Sequence, residues 1–194
     1  VPSEELIRDY HLLPALAEEK KAENELFRQF LKPIPSHKTD EAFLPLAEHI
    51  TARIDCTTCG NCCRQLEPGI SEEEAGKLAS LKGLSKEIFI RDFTAKEPET
   101  NVLFLNHQPC IFFDGTLCTI YENRPASCTD FPHLTKGNFK FRYRSIMPLY
   151  AICPIVFNTV EQLKVALGFT IKPADETSEN NKPAGHPPTA PTGR

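Results

Sequence analysis

Cys56-Thr-Thr-Cys59-Gly-Asn-Cys62-Cys63 places four thiols within eight consecutive positions, and Cys110, Cys118, Cys128 and Cys153 follow on separate segments. A C-x2-C step lets a tight turn aim two sulfurs at one ion about 2.3 Å away, and Gly60 supplies the backbone freedom such a knuckle needs. The next thiols come into reach two residues later. Soft thiolates select zinc, Cu(I) or iron–sulfur clusters over magnesium and calcium. The cysteines therefore predict a small domain wrapped round a cysteine-bound metal centre, with the remaining elements arranged to bring the distant thiols home.

Two blander readings compete. Eight is an even number and allows four disulfides. Against that stand the absence of a signal-peptide pattern, a length well above small disulfide scaffolds, and the adjacent Cys62-Cys63 pair, which would need different partners or a strained ring. Ordinary buried thiols would be scattered, whereas half of these are clustered. Zinc and iron both remain open. C-x2-C-x2-C is like the ligand run of bacterial ferredoxins, whose fourth cysteine precedes proline, and Cys153-Pro154 comes much later. A knuckle completed by cysteines from distant elements suits a closed zinc site equally well.

Upstream, a charged segment from Pro14 to about Leu31 is rich in helix formers, with Leu16, Phe27, Phe30 and Leu31 as its apolar positions. Pro33 and Pro35 stop it. Phe43, Leu46, Ala47, Ile50 and Ile54 then recur at helical spacing, predicting an amphipathic helix capped by Thr39 or Asp40 that runs into Cys56. Downstream, Ser71 and Glu74 form a capping-box pattern, and Ser85 is placed to cap another helix through Phe89 and Phe93. Val102 to Leu105 and Ile111 to Phe113 read as short strands, with Asp114-Gly115 as a hairpin signal that puts Cys110 and Cys118 on strands. A two-residue loop would set those thiols on opposite faces, and a three-residue loop with a bulge would set them on one face. Pro154 suits the first turn of a last helix through Val156, Val160, Leu163 and Leu167, closed by Gly168.

These elements predict an α+β fold, mainly helical, with a short β-hairpin. The chain divides into an N-terminal helical segment at 1–39, a cysteine-cluster metal-binding domain at 40–171, and a proline-rich tail at 172–194, too poor in apolar residues to fold. Of 194 residues, 40% are hydrophobic and 25% charged, which suits one globular domain with a sizeable core. Lys and Arg total 22 against 26 Asp and Glu, so no strong positive field points to nucleic acid or an anionic membrane. No apolar run is long enough to span a bilayer, and the acidic N-terminus lacks the order of a signal peptide, so a cytoplasmic location is expected. The expected partner is a metal ion; a protein partner is not legible.

The combination Cys56-x2-Cys59-x2-Cys62-Cys63, Cys110-x7-Cys118 and Cys118-Thr-Ile-Tyr-Glu-Asn-Arg-Pro-x2-Cys128-x2-Phe-Pro132 resembles the YkgJ-type cysteine-cluster family. The resemblance covers about residues 40 to 168 and includes Cys153-Pro-Ile-Val-Phe-Asn. It implies chelation of zinc or iron by the cysteines and supplies no reaction. That family commonly has arginine after the cysteine matched by Cys128, where this chain has Thr129. Flagellin lysine methylases are similar through a related cluster, which makes an iron–sulfur or metal-dependent redox or protein-modifying enzyme the alternative. No G-x-G-x-x-G nucleotide loop accompanies it here.

Two further residues are candidates to support the bound group. Arg124, between Cys118 and Cys128, is placed to donate to thiolates or to balance their surplus negative charge, unless it is a surface turn. His133 is a candidate ligand, or else a loop residue. Tyr121 and Phe131 would wall the site from water or simply fill the core.

Overall fold

The computed structural model describes residues 5–171. The tail from Lys172 lies outside the described residues. The charged first segment forms α1 (Leu13–Glu19) and α2 (Lys21–Leu31), broken at Lys20. The amphipathic helix is α3 (Ser36–Thr51), with Phe43, Ala47 and Ile50 on its buried face. Its predicted start is corrected: Pro35 occupies the N-cap, and Thr39 lies inside the helix, fully buried. Asp40 caps another helix instead, accepting from the Asn138 N–H at 2.6 Å and the Phe139 N–H at 3.0 Å. That helix, α8 (Phe139–Tyr150), was not predicted, although its buried Phe139, Tyr143, Ile146 and Tyr150 recur at helical spacing.

The knuckle carries α4 (Asn61–Gln65), followed by α5 (Glu72–Leu81), α6 (Lys86–Phe93), the single turn α7 (Ala126–Thr129), and α9 (Pro154–Ala166) after α8. The capping box of α5 is present: Ser71 Oγ accepts from Glu74 N–H at 3.1 Å, and the Glu74 carboxylate accepts from Ser71 N–H at 2.7 Å. Ser85 caps α6 as expected. Pro154 opens α9, and bonds from Gly168 N–H to Val165 O and from Phe169 N–H to Lys164 O close it.

Strands β1 (Gly69–Ile70), β2 (Thr94–Lys96) and β3 (Leu103–Leu105) form an antiparallel sheet in the order β1-β3-β2. Its register pairs Gly69 with Phe104 and Ala95 with Phe104. The hairpin is thus β2–β3, and the one predicted at Ile111 to Tyr121 reduces to a single bridge, Phe113 with Cys118. The loop between them has four residues because Asp114 Oδ1 accepts from both Thr116 N–H (2.8 Å) and Leu117 N–H (2.7 Å). Neither of the two predicted registers occurs.

Apolar burial falls into two clusters. The first gathers α2, α3, α8 and α9 around Phe27, Phe43, Phe139 and Leu163; the second joins α5, α6 and the sheet around Leu78, Phe89, Leu105 and Phe112. Cys153 belongs to the first and Cys110 packs on the second, so the thiol-bearing segments lie where the two meet. Among the described residues no helix is long and apolar enough to cross a membrane.

Candidate metal centre

The knuckle is built by local bonds. Asp55 accepts from Thr57 N–H at 2.8 Å and starts a single 3-10 turn at Cys56–Thr58. Gly60, at φ 60°, then reverses the chain into α4. A Cβ at Gly60 would lie 2.7 Å from Phe113 Cε2, and the Arg64 guanidinium stacks on the same ring at 4.5 Å from its centroid. Backbone conformation and space therefore both demand glycine. Gly83 has a similar φ of 69° but nothing within 4 Å of an added Cβ. Gly83→Ala should cost about 1 kcal/mol from the left-handed backbone alone, and Gly60→Ala should cost about 1–3 kcal/mol more from overpacking. Urea unfolding of the two variants measures the difference, and equal losses would mean that the Phe113 ring gives way freely.

Distant thiols are delivered by specific ties. The Cys110 N–H donates to Cys63 O at 2.8 Å, seating the later segment on α4. Cys110 does not lie on a strand: Phe113 N–H bonds back to Cys110 O at 2.9 Å, and Tyr121 N–H to Cys118 O at 3.2 Å, so each cysteine begins a turn. Glu74, besides closing its own capping box, accepts from Ala126 N–H at 2.8 Å and so fixes the start of α7, which carries Cys128. Asn61, buried between the knuckle cysteines, donates from Nδ2 to Ile152 O at 2.8 Å and accepts from Gln65 at 2.8 Å. It thereby holds the residue before Cys153 against α4. The roles of Asn61 and Glu74 were missed in the sequence. Asn61 sits inside the cluster and could have been singled out there, whereas the second bond of Glu74 is purely tertiary.

All eight cysteines are free and line two adjoining cavities. The smaller, about 20 Å³, is bordered by Cys56, Cys59, Cys62 and Cys153, together with Gly60 and Phe131. The larger, about 330 Å³, is bordered by Cys63, Cys110, Cys118 and Cys128, with Cys56 and Cys62 on the shared wall. Arg124, His133 and Tyr121 also line the larger cavity. Among the described residues no three Cys, His, Asp or Glu side chains form a ready-made ligand set, so the thiols line walls rather than surround one point.

Burial favours the protonated form at Cys56, Cys110, Cys118, Cys128 and Cys153. The Cys153 thiol is pushed up to about 12, chiefly by burial, with the Cys56 and Cys59 sulfurs adding to it. Cys128 is likewise pushed up to about 12 by burial, with Cys110, Cys63 and Cys118 adding to it. Cys63 is raised first by its contact with Cys62 and then by burial. Arg124 stacks 3.7 Å from the Tyr121 ring centroid, and its buried Nε has no hydrogen-bond partner. Its guanidinium thus rests on Tyr121 at the wall of the larger cavity. His133 Nδ1 is also buried without a partner, and burial, followed by Lys136, lowers its pKa toward the neutral, ligand-competent form.

The donor set fits a thiophilic metal. Its members are soft sulfurs, a neutral imidazole, and a cation next to where thiolate charge would collect, with two polar atoms among them unsatisfied. No curated protein and no solved structure matches the chain. The family model of CxxCxxCC, described as a "putative zinc- or iron-chelating domain", matches residues 55–153, about half of the chain and all eight cysteines. The chain belongs to the CxxCxxCC family.

Proposed function

We propose that this protein binds zinc or an iron–sulfur cluster through Cys56, Cys59, Cys62, Cys63, Cys110, Cys118, Cys128 and Cys153. The observation that carries the reading is the convergence of all eight thiols, from the knuckle and four later positions, on two adjoining cavities. Scattered core cysteines would not converge in this way, and a disulfide framework would pair them. Because burial favours the protonated thiol at Cys128 and Cys153, metal binding there releases protons and affinity rises with pH. Arg124 offsets the surplus negative charge of the metal-bound thiolates, and His133 stands beside them as a neutral nitrogen donor. A reducing cytoplasm is the compartment that keeps such thiols available. A bound zinc would serve as a structural crosslink, and an iron–sulfur cluster would add electron transfer.

Elemental analysis and a visible spectrum of the full chain purified without oxygen test the proposal. The expected result is at least about one zinc ion or one iron–sulfur cluster per chain. A folded, metal-free preparation with its cysteines in disulfides by mass spectrometry would sink it.

A further inference from the structure

We infer that the chain holds two separate thiolate metal centres, Cys56–Cys59–Cys62–Cys153 and Cys63–Cys110–Cys118–Cys128, divided at the step from Cys62 to Cys63. This rests on the chelation reading above and adds the number and membership of the sites.

The walls carry the division. The small cavity has four cysteines on its border, and the four it lacks all line the large one. Cys56 and Cys62 touch both cavities, so the assignment turns on which group each completes. A closed structural zinc shell takes four thiolates, as does an iron–sulfur cluster, and only the assignment of both shared residues to the small cavity fills both shells. The small cavity, at about 20 Å³, has room for a single water-sized occupant, which is the scale of one ion among its ligands.

Local geometry explains how neighbouring residues separate. Cys62 and Cys63 are consecutive on α4 and their thiols touch as the side chains stand, but consecutive positions on a helix point about 100° apart, so each sulfur can turn to a different centre. Each group is also tied internally. Asn61 binds the knuckle to Ile152 beside Cys153, and the Cys110 N–H binds Cys63 O. Two four-thiolate centres gather surplus negative charge on both sides of α4. The Arg124 guanidinium lies close enough to act electrostatically on Cys56 in the first group and on Cys63 and Cys118 in the second.

The test is metal release coupled to thiol labelling on the full wild-type chain. Chelator is added in steps to protein purified without oxygen, exposed thiols are alkylated at each step, and labelled cysteines are mapped by peptide mass. Two metal centres per chain are expected, with Cys56, Cys59, Cys62 and Cys153 becoming labelled as one cohort and the other four as another. The visible spectrum distinguishes zinc from iron–sulfur without changing the cohorts. As a second arm, Cys59→Ser and Cys128→Ser should each retain about half of the wild-type metal, and the double variant should retain none. Labelling of all eight thiols in one step, or cohorts that mix the groups, would overturn the two-centre division while leaving chelation intact. A wild-type chain without metal would overturn both.

Discussion

Cys153→Ser is expected to lower the thermal midpoint of the metal-loaded chain far more than that of the chain stripped by chelator. Cys153 is 6% exposed, stands at the N-cap of α9, and shares the small cavity with Cys56, Cys59 and Cys62. A metal joining it to the knuckle closes a loop as long as that bridged by the Asn61–Ile152 bond, which spans 91 residues. Fixing such a loop removes on the order of 4–5 kcal/mol of unfolded-chain entropy by the crosslink estimate. At about 2–4 °C per kcal/mol for a chain of this size, losing the crosslink lowers the midpoint by about 8–20 °C. Without metal the same variant only exchanges a buried thiol for a hydroxyl, costing about 1–3 kcal/mol. Calorimetry with and without chelator, beside metal analysis, separates the two. Equal shifts in both states with full metal retention would remove Cys153 from the ligand set.

Lys164→Met is expected to destabilise the chain by about 2–4 kcal/mol near neutral pH, a figure reduced because the partner carboxylates are partly solvated. The Lys164 side chain is 4% exposed and pairs with Glu23 at 2.8 Å and with Glu161 at 2.5 Å. Lys20 reaches the same two carboxylates, and Tyr150 donates to Glu161 at 2.8 Å. Removing Lys164 leaves two neighbouring carboxylates with one cation. Burial works to raise the Glu23 pKa, but the hydrogen bonds and charges of Lys164 and Lys20 together outweigh it, and the carboxyl is held below its ordinary 4.5. A depressed carboxylate contributes stability that is present above its unfolded value and is lost as pH falls through the folded one. The gap between wild type and variant should therefore be full above the ordinary carboxylate range and narrow as pH falls below it. Urea unfolding across that range checks it. A gap independent of pH would assign the loss to packing, and adding Glu23→Gln should then recover none of it.

Much of the helical framework was legible because its signals are local. The capping box at Ser71 and Glu74 is a four-residue pattern. The buried face of α3 and the Pro154 start of α9 follow from apolar spacing and a fixed proline φ. Where local signals compete, the reading failed. Asp40 resembles a cap for its own helix, yet its carboxylate serves α8, about a hundred residues later. The pattern of α8 was present in Phe139, Tyr143, Ile146 and Tyr150, but interleaved basic residues and Pro148 interrupt it. At Asp114-Gly115 the dipeptide marks a turn, and the aspartate side chain, by taking two amides, sets a loop length that no dipeptide rule specifies.

By itself the sequence determined the chemistry: eight soft donors, half of them in one knuckle, with Gly60 allowing the reversal and Arg124 and His133 close at hand. Ligand type is a property of side chains and survives any folding. Which thiols share a wall was decided only in three dimensions. That division depends on Asn61 reaching Ile152, Glu74 reaching Ala126 and Cys110 seating on Cys63, three bonds between segments far apart in the chain. Such bonds form only after the two apolar clusters have brought their backbones within hydrogen-bonding distance, so no local pattern encodes them.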